Sequence, residues 1–175
     1  MIEDSKKQRN RKMNVNDMIC KMIAQSNGNK HDIAHFLKVY TYARLIGEKE
    51  LLDARTQETL EITAVIHDIA CPLCREKYGN ASGKHQEQES APLVEAFLEG
   101  TGVDEAMKER ISYLVCHHHT YTDVNGLDYQ ILLEADFLVN ADESQMSRAA
   151  IQRAKETFFK TKTGIELLNS IYLSC

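Results

Sequence analysis

Apolar residues in this chain recur at intervals of three and four, and no stretch alternates convincingly at two. Val15, Met18, Ile19, Met22 and Ile23 make one such stripe, and Ile33, Phe36, Leu37 and Tyr40 make the next. Leu93, Val94, Phe97 and Leu98 follow, then Met107, Ile111, Leu114 and Val115. A 3.6-residue period puts each set on one face of a helix, so the chain is predicted to be all-α, a single-domain helical bundle. The breaks fall where helices stop. Asn27-Gly28, Gly47, Gly100 and Asn125-Gly126 end runs, and Pro72 restricts Cys71. Asp32 and Asp104 are read as N-caps, and Pro92 is placed in the first turns of its helix. One helix is expected over about 56–70, a loop over 72–84 and another helix over about 127–140. Two last helices carry Ile151, Ala154 and Phe158, then Ile165, Leu168, Ile171 and Tyr172. Residues 1–14 hold Lys6, Lys7, Arg9, Arg11 and Lys12 and read as a solvated polar arm before a helical domain at 15–175.

Ionisable residues interrupt this pattern where an apolar core should not tolerate them. His67-Asp68 closes the run Glu61-Ile62-Thr63-Ala64-Val65-Ile66, and Asp136 stands among Leu132, Leu133, Phe137 and Val139. A carboxylate taken out of water wants a cation or several donors. Neighbours on a helix point about 100° apart, so His67 and Asp68 can share one ion only where the helix ends. The bland readings are a hydrogen-bonded core histidine for His67 and an ion pair to an arginine such as Arg44 for Asp136. Upstream, His35 opens another amphipathic stretch. Glu134 falls on a different face from Asp136 and is expected at the surface or behind the site.

His35, then His67-Asp68, then Asp136, each in an apolar helical setting, resembles the HD superfamily of metal-dependent phosphohydrolases over roughly residues 30–140. The resemblance implies an HD-type helical bundle in which His35, His67, Asp68 and Asp136 ligate a divalent metal. Manganese, iron, cobalt, nickel and zinc suit such donors, with magnesium a further option. It also implies hydrolysis of a small phosphoester or phosphoanhydride, a nucleotide for preference, by a metal-activated water, with Asp68 and His118 as catalytic residues. The alternatives are a non-catalytic nucleotide-sensing module and a di-iron oxygenase-like enzyme. No Gly-Tyr-Pro follows the triple His117-His118-His119, which argues against the cyclic-dinucleotide branch.

The remaining candidates are less settled. His118 continues the stripe of Ile111 and Val115 and should face inward, His117 lies about 100° away, and His119 is expected to face out. His118 either ligates a second ion or donates to phosphate. His85 departs from the two-metal spacing that the resemblance implies by one residue, since Gln86 holds the matching place before Ser90-Ala91. One tightly held ion is therefore expected, with His117, His118, His85 and Lys38 left for a weak second ion or for the substrate phosphate. Lys38, one turn after His35, is alternatively a surface lysine. Glu87 and Glu89 read as first-turn carboxylates. Cys71 and Cys74 form one CxxC without the second pair that a structural zinc would need.

A net charge of -5 gives no support to duplex nucleic acid as a partner. No apolar run approaches the roughly 18 residues of a membrane span, and the polar start is not a signal peptide. Five cysteines do not read as a disulfide framework. A cytoplasmic protein is expected, its partner a small phosphorylated molecule and its oligomeric state open.

Overall fold

The computed structural model describes residues 12–174, so Lys6, Lys7, Arg9 and Arg11 of the polar arm lie outside the described residues. The described residues form nine α-helices: α1 (Val15–Gln25), α2 (Lys30–Lys49), α3 (Ala54–Ile66), α4 (Cys71–Tyr78), α5 (Gly83–Leu98), α6 (Glu105–His117), α7 (Leu127–Glu143), α8 (Arg148–Thr157) and α9 (Lys162–Leu168). A π-helical turn, Asn169–Leu173, continues α9. No strand is present among the described residues, and the fold is all-α as its periodicity requires.

Two helices lie at the centre. Every residue of α3 from Thr59 to Ile66 is buried, and so is every residue of α7 from Asp128 to Val139. A helix apolar on all sides needs neighbours on all sides. Helix α2 packs on both, the two pack on each other, and α6 packs on α3. The apolar interior divides into two clusters. One holds Val39, Ile46, Leu60, Leu133 and Leu138, and the other holds Met18, Phe36, Ile62, Phe97 and Ile111. The ionisable residues lie where these helices meet.

Several boundaries differ from expectation. Asn29, not Asp32, caps α2, accepting from the Asp32 amide. Helix α2 passes through Gly47 and ends at Lys49, because a Cβ at position 47 would collide with the Gln57 side chain and glycine allows α2 and α3 to approach. Residues 72–78 of the expected loop are helical. Pro72 sits in the first turn of α4, where its missing N–H costs nothing, and Gly79 closes the helix at φ 70°. Helix α5 starts at Gly83, which leaves Pro92 in its interior rather than its first turns. Pro92 is exposed, so the carbonyl it cannot bond faces water.

Asp104 caps α6 through the Met107 amide as expected. At the far end of that helix the Tyr129 hydroxyl donates to the His117 carbonyl at 2.6 Å and the Thr120 carbonyl at 2.7 Å. Those bonds fix the turn that carries His118 and His119.

Candidate metal centre

Helix α3 ends at Ile66 with His67 as its C-cap, so His67 and Asp68 leave the helix just where their side chains must converge. His35 comes from the buried face of α2 and Asp136 from the middle of α7. His35 Nε2 lies 3.1 Å from His67 Nε2. Asp136 Oδ1 is 3.3 Å from the first nitrogen and 3.5 Å from the second. Asp68 Oδ2 is 3.5 Å and 3.7 Å from the same two. Ligand atoms around one ion with bonds near 2.1 Å sit about 3.0 Å apart in an octahedron and about 3.4 Å in a tetrahedron. The observed separations, 3.1–3.7 Å, run from that range to slightly above it.

The tautomers point the same way. His35 Nδ1–H donates to Glu143 Oε2 at 2.8 Å, His67 Nδ1–H to the Ala64 carbonyl at 2.9 Å, and His118 Nδ1–H to the Val115 carbonyl at 2.7 Å. Each Nε2 therefore carries a lone pair, and all three are aimed at Asp68. Two such lone pairs 3.1 Å apart repel unless a cation lies between them. The buried Nε2 atoms of His118 and His119 make no well-formed hydrogen bond among the described residues, with Asp68 Oδ1 3.4 Å from the first. An orphaned buried acceptor is costly, and a bound metal ion removes that cost.

Protons take the cation's role in the metal-free site. Burial opposes charge on His35, but its bond to Asp136 and the charges of Asp68 and Asp136 outweigh this and raise it to about 9. Burial likewise opposes ionisation of Asp68 and Asp136. The surrounding imidazoles override it and hold both carboxyls far below the usual carboxylate range.

His35, His67 and Asp68 form one group compact enough for an ion, joined by Asp136 through the distances above. Asp68, His118 and His119 form a second. Asp68 belongs to both, with its Oδ1 3.4 Å from His118 Nε2. His119 thus turns inward, contrary to the outward placement read from helical phase. The helix stops before it, and its ring packs against Gly83, where a Cβ would lie 2.7 Å from the imidazole. His117 and His85 stand apart from both groups. His117 stacks on Tyr113 and donates Nδ1–H to the Tyr113 carbonyl, while His85 stacks on Tyr78 at 3.9 Å. Lys38 bonds Glu143 Oε1 at 3.1 Å. Arg44 is occupied by Glu48 and does not pair with Asp136.

Two supporting residues escaped the sequence reading, and a third acid was misplaced by it. Glu143 orients His35 from the last turn of α7, 108 positions away. A carboxylate there opposes the helix dipole, so its place in that turn owes nothing to helix stability. Asn140 donates Nδ2–H to Asp136 Oδ1 at 2.9 Å, from one turn along α7. Glu134, expected at the surface or behind the site, is fully buried elsewhere. It accepts from the Lys160 and Thr161 amides, the Thr161 hydroxyl and Gln130, and so anchors the chain ahead of α9. Cys71 and Cys74 are buried free thiols, both pushed up by burial and so poor ligands.

No helix among the described residues is long and apolar enough to cross a membrane. No curated protein matches the chain. A solved structure described as a predicted HD superfamily hydrolase, from an uncultured Thermotogales bacterium, superposes with a TM-score of 0.61. It is 23% identical, and the match covers 91% of this chain and 83% of that one, which shows a shared fold. The HD domain's sequence model matches residues 32–151, a span that opens at Asp32 and takes in His35, His67, Asp68 and Asp136. With that match extending over more than half its length, the chain belongs to the HD domain family.

Proposed function

We propose that this protein is a metal-dependent phosphohydrolase acting on a small phosphoester or phosphoanhydride, with nucleotides the leading class. The observation that carries the reading is the convergence of the His35 and His67 Nε2 atoms on two ionised carboxylates, with both Nδ1 atoms already anchored. His35, His67, Asp68 and Asp136 would hold a divalent ion, with Glu143 and Asn140 orienting His35 and Asp136. Such an ion lowers the pKa of water and draws charge from a phosphoryl oxygen.

The chain's own groups supply the rest. Asp68 offers Oδ2 to the first histidine pair and Oδ1 to His118, which suits it to orient a water between them. His118, fully buried and beside that carboxylate, is raised above the usual imidazole range, burial opposing and Asp68 prevailing. A protonated His118 can donate to a phosphoryl oxygen as charge develops on it. The orphaned Nε2 atoms of His118 and His119 beside Asp68 favour a second reading, in which this corner holds a second ion.

The test is metal analysis of protein purified without chelator, paired with a hydrolysis screen over nucleotides and simple phosphoesters. One ion per chain and release of phosphate support the first reading. Two ions per chain, one of them lost in His118→Ala, support the second. A metal-loaded protein inactive on every phosphate compound defeats the phosphohydrolase reading.

A further inference from the structure

Two cavities lie near the metal cluster, one lined by Asp68 itself and the other by Asn140, which donates to Asp136, and their chemistry differs. One, about 340 Å³, reaches Asp68 and is lined by Phe36, Leu73 and Phe97, but Asp32 also borders it. The other, about 460 Å³, lies between α7, α8 and the loop after the triple histidine. Tyr121, Phe137, Asn140, Met146, Thr157 and Phe158 line it together with Ser144, and none of these is charged.

From this second cavity we infer that the protein holds its substrate by a neutral, flat, aromatic heterocycle such as a nucleobase, seated beside Tyr121 and Phe158. The inference rests on the phosphohydrolase reading for what sits at the metal cluster. Three observations carry it. First, the cavity lies one side chain away from the cluster, because Asn140 lines it and donates to Asp136. Second, the wall is aromatic and held in shape. Tyr121 packs edge-on to Phe158 at 4.7 Å, and Phe158 edge-on to Phe137 at 5.2 Å. Tyr121 is nevertheless 44% exposed, so its ring has a face left to cover. A base stacks on such a face irrespective of its identity.

Third, Asn140 must present Nδ2 to the carboxylate, since Asp136 can only accept. Its Oδ1 then meets no donor among the described residues and can take an N–H from a ligand. A phosphate at the cluster and a heterocycle in the cavity are thus parts of one molecule spanning Asn140. The volume is within the usual range for small-molecule sites.

The chain contains no tryptophan, so a Tyr121→Trp variant carries a single indole reporter at the cavity wall. Adenosine, which has no phosphate and needs no turnover, should quench its fluorescence saturably, whereas ribose should not. Adding Ser144→Phe, at an exposed position on the cavity rim, should weaken adenosine binding at least tenfold while the thermal unfolding midpoint stays put. In hydrolysis, Tyr121→Ala should lower kcat/KM for adenosine monophosphate about tenfold more than for glycerol 3-phosphate, and Tyr121→Phe should restore the ratio. No saturable quench by adenosine, or a quench that Ser144→Phe leaves intact, overturns the inference even if phosphate hydrolysis is found. A specific quench in a protein that hydrolyses no phosphate compound leaves the cavity assignment standing and removes the phosphohydrolase reading instead.

Discussion

Glu143 offers the sharpest test of how the centre is built. Its carboxylate does two opposed things to His35. By accepting from Nδ1–H at 2.8 Å it fixes the ring and leaves Nε2 unprotonated for an ion. By its negative charge it also helps His35 keep a proton when no ion is present, which competes with metal. The second effect is the smaller, because Asp136 and Asp68 contribute more than Glu143 to the raised proton affinity of His35. Removing Glu143 should therefore weaken metal binding. Partners that orient ligating histidines contribute about 10- to 100-fold in affinity, or roughly 1.4–2.7 kcal/mol.

Glu143→Ala should fall in that range. Glu143→Gln, which keeps an acceptor oxygen for Nδ1–H but not the charge, should lose less than about tenfold. Fold stability should change little in either variant, since the residue is only partly buried at a helix end. The assay is competition with a chromophoric chelator at fixed pH, alongside thermal unfolding of the metal-free proteins. An unchanged dissociation constant in Glu143→Ala, with the fold intact, would refute the argument. So would equal losses in Ala and Gln, which would make the charge alone responsible.

Asp136→Ala should empty the tight site and abolish hydrolysis, whereas His118→Ala should lower turnover about 10²–10³-fold and keep one ion per chain; metal analysis and initial rates separate the two. Metal affinity should climb with pH and level off near 9, because ligation requires neutral imidazole and the metal-free His35 holds its proton up to about 9. Calorimetry in buffers of different ionisation enthalpy should find proton uptake by the buffer at pH 7, and none would contradict the raised value. The sign reverses for the metal-free fold. A raised histidine stabilises it fully below about 6.5, and that contribution is lost as pH rises through about 9; denaturant titrations across this window check it. Glu134→Ala, two residues from Asp136, should instead destabilise the fold by about 2–4 kcal/mol by stranding two buried amides, with metal content unchanged at temperatures where the variant remains folded.

The helices and the four principal cluster residues were legible in the sequence because both depend on local order. A 3.6-residue stripe records its own helix, and an acid or imidazole inside such a stripe is visible without knowing its neighbours. Asp136 stands out among Leu132, Leu133, Phe137 and Val139 for that reason alone. Short-range detail was less secure. Pro72 reads equally as a stop and as a first-turn residue, and the structure places it at the start of α4.

The inward turn of His119 depends on where α6 ends, and that end is held by the Tyr129 hydroxyl from another helix. Glu143 and Glu134 carry no local mark that separates one from the other. One meets His35 where α2 crosses the end of α7, and the other meets the amides ahead of α9. Sequence periodicity says which face of a helix is buried, not which helix lies opposite. The charge partners of a buried acid come from that opposite helix, so only the packing of α2, α3 and α7 decided which acids join the His35–His67 cluster and which hold the fold.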